Sequence, residues 1–167
     1  LCILWASMRG PETLPMNRLV SVVVPFYNEV ENVPRLAEKI DAVLAPLPDF
    51  DYECLFVNDG STDGTREAIA RTAERFPAVR PVHLVRNSGQ SAALVAGMRR
   101  AKGDFIFILD GDLQTDPCDF PAMLDLLRDY DCVFGYRAKR QDTFIRKLSS
   151  KVANGVRRRI LGDGVRD

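Results

Sequence analysis

The sequence predicts an α/β domain: a mainly parallel sheet with helices on both faces. Three observations carry this. Short apolar, β-branched runs alternate with stretches whose apolar residues recur at helical spacing. The strand-like runs are apolar along nearly their whole length, as strands covered on both faces are. The chain has 167 residues and 46% hydrophobic content, enough for one core of ordinary size.

Each element follows in order. Leu19 to Val24 is a β-branched run that stops at Pro25, which marks a strand. Val33, Leu36, Ala37, Ile40 and Val43 then share one helical face. Pro34 is tolerated there because it falls in the first turn, and Pro46 and Pro48 end the helix. A second strand spans Tyr52 to Val57 and runs into the turn cluster Asn58-Asp59-Gly60-Ser61-Thr62-Asp63-Gly64. A helix with Ala68, Ile69 and Ala73 on its apolar side continues to Arg75. A third strand is expected at Val82 to Val85 and an alanine-rich helix at Ser91 to Arg100. Phe105 to Leu109 is the fourth strand, Phe120 to Arg128 a helix, and Cys132 to Phe134 the fifth strand. A last amphipathic, basic stretch covers Thr143 to Ile160. The apolar start, Leu1-Cys2-Ile3-Leu4-Trp5-Ala6, lacks a preceding basic segment and is short for a signal core. Residues 1–15 are therefore expected to form an extension outside the fold, with the domain over 16–167.

Composition removes several functions. Zero net charge argues against an indiscriminate nucleic-acid binder, so no nucleic acid is expected among the partners. Four scattered cysteines with no C-x-x-C pair, and the single His83, argue against a zinc site and for free thiols in a reducing compartment. His83 and the cysteines read as structural. The longest apolar runs are strand-sized, short of the ~20 residues a spanning helix needs.

Ligands of such sheets bind outside the carboxyl ends of the strands, so the loops there carry the search. Asp110 and Asp112 follow the fourth strand, separated by Gly111. Two carboxylates after a buried strand are costly to desolvate unless a positive charge joins them, and a hard cation, Mg²⁺ or Mn²⁺, fits oxygen donors. A solvated Asp-Gly turn is the plain alternative, and position at the strand end favours the cation. Gln114 can reach a sugar or phosphate oxygen. Asp59, after the second strand, can accept from a base ring N–H or belong to a helix-capping cluster in which Thr62 or Asp63 caps. Tyr27 can stack on a nucleobase and Glu29 can accept from ribose hydroxyls, or both can belong to a Pro turn with an acid at a helix start. Arg137, Arg146 and Lys147 offer guanidinium and ammonium groups to phosphate. The run Arg157-Arg158-Arg159 reads as a solvated face or a headgroup contact.

Together these strand ends resemble glycosyltransferase family 2, enzymes of the GT-A fold, over about Val20 to Asp167. The matching segments are Val24-Pro25-Phe26-Tyr27-Asn28-Glu29, Val57 to Thr65, Asn87-Ser88-Gly89-Gln90-Ser91-Ala92-Ala93, Leu109 to Gln114 with Pro117, and Arg140-Gln141-Asp142 followed by Arg146-Lys147 and Ser150. The resemblance is closest to the polyprenyl-phosphate branch, which includes dolichol-phosphate mannose synthases and aminoarabinose transferases. It implies a GT-A, Rossmann-like α/β fold and an inverting transfer of sugar from a nucleoside-diphosphate sugar to a polyprenyl phosphate. It also implies that Pro25, Tyr27 and Glu29 touch the nucleotide and that Val57 and Asp59 recognise the base. Asp110, Gly111, Asp112 and Gln114 would form the metal and sugar-diphosphate site, with Mg²⁺ or Mn²⁺ and Asp112 as the direct ligand. Arg137 would hold the donor phosphate, and Arg146 and Ser150 the acceptor or donor phosphate. The implied setting is the cytoplasmic face of a membrane, with room for peripheral membrane contact and for an oligomer.

Two departures stand out. Gly111 replaces the Ala or Ser usual in this branch, and the chain stops at Asp167 where family members continue, so an incomplete catalytic domain is expected. Two alternatives therefore stay open: a nucleotide-binding module without turnover, and a family 2 transferase with a polysaccharide acceptor. A phosphorelay receiver fits poorly, because Tyr27-Asn28-Glu29 and Tyr136-Arg137 stand where that family needs an acidic pair and a lysine. A dinucleotide G-x-G-x-x-G and a P-loop are both missing.

Overall fold

Side-chain alternation along one strand sets the layout of the whole sheet. In the computed structural model, which describes residues 3–6, 18–127, 130 and 132–135, this strand is β2, Arg18–Phe26. Its Val20, Val22, Val24 and Phe26 face one way and Val23 the other. Both sets are buried, so helices must cover both sides. On the first side lie α1 (Asn32–Leu44), α2 (Thr65–Arg75) and α4 (Phe120–Leu126). They contribute Val33, Leu36 and Ile40, then Ala68 and Ile69, then Phe120, Met123 and Leu124 to one core. On the second side α3 (Gln90–Met98) packs Ala93 against Val23, Leu55, Val57 and Val82. A Cβ on Gly97 would lie 2.4 Å from Val23 Cγ1, so this glycine lets α3 settle directly on the sheet.

The sheet runs β4-β3-β2-β5-β1-β6. β2 pairs in parallel with β3 (Phe50–Asn58) from Arg18 opposite Phe50 to Phe26 opposite Asn58. β3 pairs in parallel with β4 (Val79–His83), and β2 with β5 (Phe105–Ile108). The mainly parallel α/β architecture is the one expected. The carboxyl ends of β2, β3, β4 and β5 therefore share one rim.

Two details differ from expectation. The third sequence strand, placed at Val82 to Val85, instead covers Val79–His83. Leu84 leaves the ladder after its N–H donates to Asn58 O at 2.9 Å, and Val85 is fully exposed. Pro81 lies inside this strand, which is acceptable because β4 is the sheet edge. At the other end, Ile3–Ala6, expected outside the fold with the rest of residues 1–15, form β1, antiparallel to both β5 and β6 (Cys132–Phe134). An apolar run meeting an open ladder of N–H and C=O groups pairs with it. The basic stretch Thr143 to Ile160 lies outside the described residues. Among the described residues no helix is long and apolar enough to cross a membrane.

The rim opposite the strand ends holds one buried charge. Glu53 is 2% exposed. Its Oε1 accepts from Ser21 Oγ and Lys102 N, both at 2.8 Å, and Ser21 Oγ accepts from Gly103 N at 2.8 Å. Arg80 Nε sits 2.7 Å from Oε2 but off the hydrogen-bonding axis, so this contact is electrostatic. Glu53 thus ties β2, β3 and the turn before β5 together.

Glu53→Ala strands two donors in the interior and should lose about 3–5 kcal/mol in urea unfolding, whereas Arg80→Ala, acting from a solvated side chain, should lose about 1 kcal/mol or less. His83 closes β4 with a buried, unpartnered Nδ1. Burial, reinforced by the Arg66 guanidinium and opposed by Glu67, holds its imidazole below the ordinary 6.5. The unfolded chain then takes up the proton first, so this contribution to stability is complete above pH 6.5 and is lost as pH falls below it. Tm measured between about pH 8 and about pH 5 should fall less steeply for His83→Asn than for the native chain.

Candidate functional site

Four strand ends enclose one cavity of about 400 Å³. Pro25, Phe26, Tyr27 and Glu29 line it from the end of β2, and Asp59 from the end of β3. Asn87, Gly89 and Gln90 come from the segment between β4 and α3, and Asp110, Gly111 and Asp112 from the loop after β5. Seven of the residues singled out in the sequence are thus brought together: Pro25, Tyr27, Glu29, Asp59, Asp110, Gly111 and Asp112.

Asp59 organises the middle of the cavity. It is 3% exposed. One carboxylate oxygen accepts from Ser88 N at 2.8 Å and the other from Gly89 N at 2.9 Å. Its own N–H donates to Phe26 O at 2.9 Å, which continues the β2–β3 ladder by one step. Gly60 makes the close approach workable. Its φ is +63°, and a Cβ there would fall 2.3 Å from Arg86 C and 2.4 Å from Asn87 N. The chain between β4 and α3 therefore lies directly on the turn after β3.

A second set of bonds joins the turn after β3 to the loop after β2. Asn28, at φ 55°, donates its N–H to Ser61 Oγ at 3.0 Å and accepts from Thr62 N at 2.9 Å. Asn tolerates this left-handed conformation better than most residues. Glu29 N donates to Thr65 Oγ1 at 2.9 Å, and the Glu29 carboxylate accepts from Asn32 Nδ2. Asp63 supports the start of α2 by accepting from Thr65 N at 2.9 Å and from Thr65 Oγ1. Tyr27 is left with 46% of its surface open at the cavity mouth.

The acidic loop is tight. A Cβ on Gly111 would lie 2.7 Å from Phe26 Cδ1 and 2.9 Å from Pro25 O. Leu113 takes a left-handed φ of 61°, an unusual conformation for a residue with a Cβ. This turns the chain so that Gln114 N donates to Asp112 Oδ1 at 3.0 Å. Gln90 Nε2 donates to Asp110 Oδ1 at 2.8 Å across the cavity.

This donor set suits a hard divalent cation. Asp110 and Asp112 supply carboxylate oxygens, and the glycine between them closes the turn. Among the described residues no group of three or more His, Cys, Asp or Glu gathers around one point. A cation held here would take its remaining ligands from phosphate oxygens and water, the usual arrangement for Mg²⁺ at substrate phosphates.

Some expected residues lie elsewhere. Val57 is fully buried under α3, because alternation along β3 sends its side chain to the same face as Leu55. The Gln114 side chain is exposed and is not on the cavity wall. Arg137, Arg146 and Ser150 lie outside the described residues. Conversely, Phe26, Asn87, Gly89 and Gln90 line the cavity without having been singled out. The signal for the last three was their place after the third strand, whereas Phe26 is 1% exposed and reads as core by alternation.

Comparisons with known proteins give the family and the fold. A model described as Glycosyl transferase family 2 matches residues 21–164. An undecaprenyl-phosphate 4-deoxy-4-formamido-L-arabinose transferase of Serratia proteamaculans is 38% identical over 150 residues, covering 89% of this chain and 46% of that protein. A dodecaprenyl-phosphate galacturonate synthase of Rhizobium johnstonii is 39% identical over 167 residues, covering 96% and 48%. The chain spans about half the length of the curated relatives it matches. Among solved structures, a mannosyltransferase of Pyrobaculum calidifontis in complex with GDP-Man and Mn²⁺ superposes with a TM-score of 0.54 at 31% identity, over 71% of this chain and 33% of the other. A glucosyl-3-phosphoglycerate synthase of Mycobacterium tuberculosis in complex with Mn²⁺ and UDP shares the fold, with a TM-score of 0.52 at 24% identity over 66% and 39%.

The Asp59 clamp can be read directly by amide exchange. Asp59→Asn keeps the shape but can accept from only one of the two amides through its single oxygen, leaving one N–H facing an amino group. Exchange at Ser88 and Gly89 should speed up by about tenfold or more, with about 1–3 kcal/mol lost from the loop. Exchange within β2 should stay unchanged.

Proposed function

Because this chain belongs to glycosyl transferase family 2, we propose that it moves a sugar from a nucleoside-diphosphate sugar to a polyprenyl phosphate, with inversion at the anomeric carbon. The observation that carries this reading is the Asp110-Gly111-Asp112 turn opening onto the same cavity as Tyr27, Glu29 and Asp59. One end of the cavity is chemically matched to a base and ribose, the other to a metal-bound diphosphate, and its volume suits a ligand of that size. The polyprenyl-phosphate acceptors in the names of the relatives support the choice of acceptor.

In this reading Tyr27 lays its open ring against the base. Asp59 accepts a base N–H with the lone pairs its two amide bonds leave over. Glu29 accepts from ribose hydroxyls, Pro25 shapes the wall beside them, and Val57 holds the strand end from below. Asp112, with Asp110, holds Mg²⁺ or Mn²⁺ through Gly111's tight turn. A bound divalent cation supplies Lewis-acid stabilisation of the diphosphate leaving group. Gln114 steadies Asp112 through its backbone N–H, Arg137 serves the donor phosphate, and Arg146 and Ser150 the acceptor phosphate.

The reaction asks little proton chemistry of the protein. An oxygen of the acceptor phosphate attacks the anomeric carbon. The bond from that carbon to the diphosphate oxygen breaks, and its electron pair leaves with the nucleoside diphosphate. A phosphate monoester carries most of its second charge at pH 7, its second pKa being about 6, so no strong base is needed. Alignment of the two phosphates and neutralisation of their charge remain as the protein's tasks. The basic stretch Arg146 to Arg159 suits anionic headgroups, which would bring a peripheral membrane contact next to a lipid acceptor.

Calorimetric titration of UDP and GDP, with and without Mn²⁺, tests the donor half. One nucleotide should bind at least about tenfold more tightly with Mn²⁺, and Asp112→Asn should remove that gain, a difference of about 1.4 kcal/mol per decade. Equal, metal-independent affinity in both proteins would overturn the metal role of Asp112. Transfer of labelled sugar to polyprenyl phosphate tests the acceptor half, and nucleotide binding without transfer would instead favour a binding module.

A further inference from the structure

We propose that Gln90 is a positioning residue that orients Asp110 beside Asp112 for the cation. This rests on the transferase reading above and adds a residue to it. Gln90 is the first residue of α3, and its Nε2 donates to Asp110 Oδ1 at 2.8 Å. Only the amino group of the carboxamide can face a carboxylate oxygen, so the orientation of the amide is fixed chemically.

The placement of Gln90 is itself determined. Gly89, at φ +89°, caps α3 and gives its N–H to Asp59 Oδ2 at 2.9 Å. Gly89 O accepts from Ala93 N at 3.1 Å, which closes the first helical turn. Asp59 therefore fixes the backbone one residue before Gln90, and Gln90 reaches the acidic turn from a rigid base. The side chain is exposed yet lies on the cavity wall with Asp110 and Asp112. Packing does not explain its direction, whereas the hydrogen bond does. A neutral donor is also the right chemistry. It engages one oxygen of Asp110 without adding a positive charge that would compete with a dication.

The test uses the native chain, Gln90→Ala and Gln90→Glu. Without metal, the Gln90 side-chain amide protons should resonate away from those of solvated glutamines and return to the solvated position in Asp110→Ala, which leaves no acceptor at that place. With UDP or GDP, the EPR signal of free Mn²⁺ reports binding. Gln90→Ala should weaken Mn²⁺ affinity by about tenfold, the usual effect of losing a group that orients a ligand. Gln90→Glu should tighten binding of Mn²⁺ alone by a similar factor, because a third carboxylate joins the pair. Glutamate at a helix start is favoured by the helix dipole. A role limited to starting α3 therefore predicts an equal or higher Tm for Gln90→Glu and native Mn²⁺ affinity in both variants. That result, or a solvated amide signal in the native chain, overturns the proposal. Absence of any Mn²⁺ dependence in the native chain overturns the transferase reading and this proposal with it, while the metal-free amide signal still reports the hydrogen bond.

Discussion

The carboxylate of Asp59 is withdrawn from water and held by two backbone amides from a different loop. A buried carboxylate is costly unless hydrogen bonds replace its lost solvation, and here Ser88 N and Gly89 N do so. The same two bonds end the freedom of the segment between β4 and α3. Gly60 lets that segment lie on the turn after β3, and Asn58 O takes the N–H of Leu84 at its start. Asn28, Ser61, Thr62 and Thr65 join that turn to the loop after β2. Three walls of the cavity are thus one hydrogen-bonded unit, and Gln90 extends it to the fourth. A site whose loops are fixed before ligand arrives has less ordering entropy to lose on binding.

The centre of the sheet was legible in the sequence because β2 and β3 are buried on both faces and the helices on one. Continuous β-branched runs and 3.6-residue spacing are strong signals, and the elements they predict differ from the observed ones by a residue or two. β4 was misplaced because Leu84 and Val85 carry the apolar character of a strand yet follow its last residue, while Pro81 lies within it at the sheet edge. Ile3–Ala6 could not be assigned, because composition does not reveal an unfilled ladder between two strands distant in sequence. The strand-end rule located the cavity. It could not separate residues that line the cavity from residues beneath it: Val57 and Phe26 both border the rim by sequence, and only the direction of each side chain tells them apart.

Asp59 shows how one residue reconciles two readings. The sequence offered either a base acceptor or a member of a turn cluster. In the structure it belongs to the architecture, as the acceptor for two amides of another loop rather than as a helix cap. Each carboxylate oxygen keeps a second lone pair, so the architectural bonds orient the group and leave capacity for a ligand. An acceptor held in place by its own scaffold discriminates between ligand edges better than one free to rotate, because a wrong partner cannot be met by reorientation.

Gly111 has a similar explanation, and it lies in the neighbouring strand rather than in the acidic turn. Phe26 ends β2 with its ring buried edge-on against Phe56, at a centroid distance of 5.0 Å and 62° between planes. That packing directs the Phe26 ring under the turn after β5, where any Cβ at position 111 would meet it at 2.7 Å. The volume a side chain at 111 would fill is therefore already occupied from below. The glycine between the two aspartates and the phenylalanine two residues before Asn28 are one packing solution.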